Sequence, residues 1–298
     1  MWFPLSLLAL AMLVSRRSAE KHATGKINSL ALTWLQQATA LPFIILTLFF
    51  AKFYWPSELS LHYWVIISVY AILISFDTYL YFKALSMADV SYVAPLLTLV
   101  ALGNIGGAYV VLGQKPTVMG LLGACLIVAG AALTYHAKRK DILNRQANKL
   151  VLILVLVLVV VRGLNSNIEV PLLRDSNPTT FNFYSSIISV PLLILTSLVV
   201  IATNKTQKYR EYWTQVKTDT TKHRWLLAFI GITYTVNMLA TYGAKLIGPN
   251  AGYIGAVKSA SVLPIMLMGL LFFKEKIIGI QWVGLGIIVA GIVLLGLS

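Results

Sequence analysis

Charge is scarce in this chain. Of its 298 residues only 11% are Asp, Glu, Lys or Arg, and only ten are acidic. Soluble domains carry about 25% charged residues, so a soluble globule could not cover its surface with this composition. Disorder is excluded as well, since disordered chains combine low hydrophobicity with high charge. Cysteine is nearly absent: the single Cys125 lies inside an apolar run and can form no intrachain disulfide, which excludes a disulfide-stapled scaffold and leaves the redox compartment open. The four histidines (His22, His62, His136, His223) are scattered at the ends of apolar runs. No HExxH or Cys/His cluster offers metal-ligand spacing, and no GxSxG elbow, Walker sequence or GxGxxG in a strand–turn–helix context is present. Nothing calls for a metal, a nucleotide or another cofactor.

What fills the chain is apolar sequence. Hydrophobic residues make up 58% of it, and its mean hydropathy is +0.80. Ten candidate spans run near 3–21, 31–52, 62–84, 91–113, 117–136, 149–171, 179–202, 224–246, 251–273 and 278–297. Each has the ~20 residues that cross a ~30 Å hydrocarbon core as a helix, and is too long and uniformly apolar for a barrel strand. The first segment reads as a retained helix and not a signal peptide: no basic residue precedes its apolar run, and Arg16 and Arg17 follow it. Residues 137–148 and 203–223 read as polar loops. The expectation is an all-α, multi-pass integral membrane protein in the plasma (cytoplasmic) membrane.

The net charge of +14 is spread through short connections, which fits a cytoplasmic membrane face and gives no nucleic-acid patch. Eighteen basic residues fall in or beside the connections after odd-numbered spans, and four (Lys52, Lys115, Arg174, Lys245) on the other side. The positive-inside bias therefore puts the 137–148 and 203–223 connections in the cytoplasm and both termini outside.

The sequence repeats itself. A shift of 161 residues aligns 81–134 with 242–295 and pairs Tyr81 with Tyr242, Tyr92 with Tyr253, Gly123 with Gly284 and Gly130 with Gly291. A shift of 149 pairs Glu20 with Glu169, Asn28 with Asn177 and Pro42 with Pro191. Two five-helix repeats, 1–136 and 149–298, are thus joined by a basic linker at 137–148. Five is odd, so equivalent helices would cross in opposite directions. That is the inverted-repeat architecture of secondary transporters, with a site near the midplane between the repeats.

The segments YFKALSMADVSYVAPLLTLV and GAYVVLGQKPTVMGLLGACLIVAG, and the stretch from Tyr242 to Gly291, resemble the EamA repeat of the drug/metabolite transporter (DMT) superfamily. That pattern has an aliphatic span, a Gly-Glu turn and a Gly-rich last helix. The second repeat keeps the acidic residue as Glu275, whereas the first carries Gln114. The resemblance implies a non-ATP transporter of small organic solutes such as amino acids, metabolites, drugs or sugar-related compounds, and no enzyme. Two rival readings are an integral-membrane lipid-handling enzyme and a structural membrane partner without transport. The partners expected are a small-molecule substrate and the bilayer. A monomer suffices, and a dimer is possible.

Charges inside spans are costly and mark function by default. Arg162 lies near mid-depth of the sixth span, Lys258 in the ninth, Asp77 in the third and Glu169 near the end of the sixth. The repeat partners of Arg162 and Lys258 are Leu13 and Leu97, so these charges do not belong to the shared scaffold. Either they face a substrate path, where two cations favour a carboxylate or phosphate, or they pair with Asp77 and Glu169. Thr233, Asn237 and Thr241 recur every four residues beside Tyr234 and Tyr242; Asn182, Ser185, Ser186 and Ser189 share a side of the seventh span. Thr33 and Gln37 share a face of the second, Asp77 and Tyr81 one of the third, and Asn165 follows Arg162. The substrate-binding set is Arg162, Lys258, Asp77, Tyr81, Asn165, Tyr234, Asn237 and Tyr242, with Glu169 as the coupling candidate. Glycines at 120, 123, 130, 279, 284, 286 and 291 suit close helix packing. Pro42, Pro95, Pro191 and Pro264 suit kinks.

Overall fold

A computed structural model describes residues 1–24, 26–87, 97–136, 145–204, 209–261, 264 and 279–298. Its regular structure is helical throughout the described residues: α1 (Trp2–Thr24), α2 (Ser29–Ala38), α3 (Leu41–Leu48), α4 (Leu61–Met87), α5 (Val100–Leu112), α6 (Val118–His136), α7 (Arg145–Asp175), α8 (Pro178–Asn204), α9 (Tyr209–Lys222), α10 (Arg224–Ile247), α11 (Ala251–Ser259) and α12 (Gly279–Leu297), with 3₁₀ turns at Pro56–Glu58 and Leu97–Leu99. Among the described residues, five stretches are long and apolar enough to cross a membrane: Leu30–Leu48, Leu61–Tyr81, Leu150–Asp175, Pro178–Thr203 and Arg224–Ile247. Shorter apolar helices cover Leu97–Leu112, Val118–Leu133 and Trp282–Leu297. Large apolar side chains such as Phe50, Val65 and Val110 are exposed on these helices and their ends, as a lipid solvent requires and water does not tolerate in bulk.

The chain forms two compact units, and each draws on both halves of the sequence. The first comprises Met1–Leu10, Asp77–Val170 and Gly243–Ser298; the second comprises Ala11–Phe76 and Pro171–Tyr242.

In the first unit α6 packs along α12 through glycines. A Cβ on Gly123 would lie 2.8 Å from the Gly291 carbonyl oxygen, and one on Gly130 would lie 2.5 Å from that of Gly284. Since 123 meets 291 while 130 meets 284, the two helices run antiparallel, and glycine is what permits the approach. A second close contact sets α5 on α7: a Cβ on Gly107 would overlap the Gly163 carbonyl, and one on Gly163 that of Gly103. Gly113 ends α5 in the left-handed region (φ 66°), the conformation glycine adopts at a helix C-cap without steric cost. This puts Gln114 in place to accept the Ala251 amide at 2.9 Å, at the first turn of α11.

In the second unit, Asn28 caps α2 by accepting the Leu30 amide, and Asn177 caps α8 by accepting that of Thr180. The repeat match between these two residues thus has a local cause, worth ~1 kcal/mol per cap. The paired prolines differ. The second span is not one helix as expected but breaks at Thr39–Ala40, where Pro42 at the start of α3 can donate no amide. Pro191 instead lies within continuous α8. Pro95 lies outside the described residues, as do Tyr92, Glu275 and the neighbours of Pro264.

Two further expectations need correction. Most of the 203–223 loop is helix α9, whose Tyr212 and Val216 are buried in an apolar cluster with Ala23, Ile27, Trp34, Ile201 and Leu227. The described part of the ninth span is not one helix: α11 ends at Ser259 and a turn follows through Ala260 and Ser261.

Candidate functional site

The polar centre of the first unit is organised by α7. Arg162, Ser166 and Glu169 fall on one helical face at i, i+4 and i+7. On α4, Asp77 and Tyr81 stand one turn apart, and both meet Arg162. Its Nε donates to Asp77 Oδ1 at 2.6 Å, and its guanidinium lies 5.1 Å from the Tyr81 ring centroid. The guanidinium therefore has a carboxylate partner and a π face, an arrangement that suits arginine better than lysine. Glu169 takes Lys245 as its partner, while Arg162 takes Asp77. Glu169 Oε1 accepts from Lys245 Nζ, and the same ammonium donates to the Ser166 carbonyl and, at 2.7 Å, to Ser166 Oγ. Both side chains of this pair are buried, at 1% and 8% exposure.

Lys245 was counted from the sequence as a connection residue. It continues the four-residue stripe of Thr233, Asn237 and Thr241 by one more step, and that spacing was the signal for its inward placement. Asn165 is buried, and its Oδ1 meets no protein donor among the described residues. Asn167 donates to the carbonyls of Asn104 (3.0 Å) and Gly163 (2.6 Å), locking α7 to α5 at their glycine contact. Lys258 is half-buried in the last turn of α11, where a cation complements the helix dipole.

The remaining expected site residues, Tyr234, Asn237 and Tyr242, belong to the second unit. There Gln37 donates to Tyr234 Oη at 2.7 Å and accepts from Ser189 Oγ at 2.8 Å. Arg16 lies 5.1 Å from the Tyr234 ring centroid, with its Nε 3.2 Å from Glu20. Tyr242 packs edge-on against Phe181, their ring centroids 5.1 Å apart. Because 242 meets 181 while 234 connects through Gln37 to 189, the polar stripes of α10 and α8 run antiparallel along one seam. Asn182 and Ser186, on the α8 side of it, are each 1% exposed, and their side-chain polar atoms have no protein partner among the described residues. Arg16 and Glu20 were legible only as the flank of the first span, and Gln37 only as a polar residue sharing a face with Thr33. Their convergence on Tyr234 depends on contacts between residues nearly two hundred positions apart.

These are the interiors of a helical, multi-pass integral membrane protein. The EamA-like transporter family matches residues 2–136 and 149–297, covering two repeats, and the chain belongs to that family. No curated protein matches it. Twenty-eight chains of solved structures do. One of them, a crystal structure of a protein 14% identical in sequence, matches 99% of this chain and 96% of its own at a TM-score of 0.73. At that identity the likeness concerns the fold alone.

Proposed function

We propose that this chain is a secondary transporter of a small organic solute, such as an amino acid, metabolite or drug, working by alternating access about a midplane site between its repeats. The observation that carries the reading is the pair of ionic contacts, Arg162–Asp77 and Lys245–Glu169, within membrane-spanning sequence. A charge at mid-depth costs ~2.5–3.5 kcal/mol on insertion scales, and apolar residues often hold a bundle as well or better. Antiparallel α6 and α12, whose glycines are repeat equivalents, support two inverted five-helix repeats and ten crossings. With Arg162 matched by Asp77 and the buried Lys245 by Glu169, these cations carry no net attraction for an anion. A dipolar or neutral solute fits better. Asn182 and Ser186 leave hydrogen-bonding capacity in the second unit for water or solute. Glu169 serves coupling, with Lys245 as its fixed counter-ion. A monomer carries all these residues, and the plasma membrane is the expected location.

A thermal-shift screen of purified protein against metabolite classes identifies the solute, because a ligand stabilises the state it binds. Flux of that solute in proteoliposomes then tests the site. Arg162→Gln leaves Asp77 without its partner, so it should lose both stability and flux. The double change Arg162→Leu/Asp77→Leu removes both charges and should recover stability while flux stays at least tenfold down. If flux returns along with stability, the pair is structural and the transport reading of this site falls.

A further inference from the structure

We propose that the Arg210–Trp213–Lys217 strip of α9 binds anionic phospholipid headgroups at the bilayer surface. Helix α9 is tethered at both ends to membrane-spanning helices: α8 ends at Asn204, and α10 begins at Arg224, one residue beyond its last turn. Its inner face is already occupied. Tyr212 and Val216 are buried, Trp34 Nε1 donates to Tyr212 Oη at 2.9 Å, and Asp219 Oδ2 accepts the Asn28 amide at 3.3 Å. These contacts hold the helix across the span ends that carry Ala23, Ala31, Ile201 and Leu227, which is the bilayer surface. Arg210, Trp213 and Lys217, at i, i+3 and i+7, therefore share one flank and are all exposed.

That flank carries two cations and no carboxylate. Glu211 falls on the opposite flank with Lys222, and Asp219 faces inward to Asn28. The strip is aromatic as well as basic. Trp213 is 41% exposed, and Trp225, at the adjoining start of α10, is 77% exposed beneath the Arg224 guanidinium. Indole at headgroup depth, flanked by long cationic side chains, is the chemistry of the membrane–water interface. Near an anionic leaflet each such cation strengthens association about fivefold. The inference needs only the membrane location of the chain and stands whether or not the transport reading holds.

The test uses the full chain in nanodiscs of phosphatidylcholine alone, or with one third phosphatidylglycerol. Phosphatidylglycerol should raise the apparent Tm, and Arg210→Gln/Lys217→Gln should abolish that shift while matching the parent in pure phosphatidylcholine. Lys222→Gln, on the other flank, should keep the shift. Lipids brominated near the headgroup should quench a tryptophan emission component that Trp213→Phe removes. The proposal is overturned if the shift survives Arg210→Gln/Lys217→Gln. It is equally overturned if aqueous iodide and not bromolipid quenches that component, or if inorganic phosphate reproduces the shift in phosphatidylcholine, which would mark a free-phosphate site.

Discussion

The ammonium of Lys245 is held by the Glu169 carboxylate and by both oxygens of Ser166, so all three of its donor directions are used inside the first unit. A buried pair so completely satisfied is stable only as a pair. Lys245→Met strands a buried carboxylate and should cost about 3–5 kcal/mol, whereas Lys245→Met/Glu169→Leu should regain most of it. Thermal unfolding in detergent checks this, and a double variant no more stable than the single one would falsify the pairing.

The glycine seam of α6 and α12 makes a prediction with an internal control. A side chain at Gly123 or Gly130 meets a backbone carbonyl, which cannot rotate away. Gly130→Val should therefore destabilise by about 1–3 kcal/mol or more. At Gly286 an added methyl meets nothing within 4 Å, and Gly286→Ala should be neutral or stabilising by up to ~1 kcal/mol through helix propensity. Equal Tm changes for the two substitutions would rule out the close approach.

Burial pushes the Tyr212 hydroxyl above its ordinary value of 10.0, and hydrogen bonds from Trp34 and Ser197 draw it part of the way back. A phenol whose folded value is raised contributes stability fully present below the unfolded value. That stability is lost as pH rises through the folded value. Between pH 9 and 11 the parent should thus lose stability more steeply than Tyr212→Phe, measured as the difference in apparent Tm across the series. Parallel curves would show that the hydroxyl ionises as freely in the folded protein as in the unfolded chain.

Orientation is tested in a Cys125→Ser background, since the native thiol is exposed. By the distribution of basic residues, a cysteine at Ser57 in the connection after α3 should label with an impermeant reagent on intact cells. One at Thr214 on α9 should label only after permeabilisation. The reverse pattern would overturn the charge-based orientation.

The sequence by itself determined that the chain is helical and membrane-embedded, because a bilayer accepts only backbones whose hydrogen bonds close within the segment, and hydropathy reports that directly. It also showed the internal repeat and the close-packing glycines at 123, 130 and 291, whereas Gly279 and Gly286, read the same way, face open space, and the capping roles of Asn28 and Asn177 emerged only in the structure. The legible features act over a turn or two, or through residue size alone. Tertiary structure decided the partners. Glu169 and Asp77 were equally available to Arg162 on paper, yet Glu169 lies seven residues along the same helix and turns to α10, while Asp77 meets Arg162 from α4. Helix α9 stayed hidden for a related reason. Only Tyr212 and Val216 of its polar sequence are buried, and such a short apolar edge becomes helix only when Trp34, Ile201 and Leu227 supply a surface to cover. Hydropathy is a property of one segment against its solvent. Ion pairs and surface helices depend on which segments meet, and packing alone settles that.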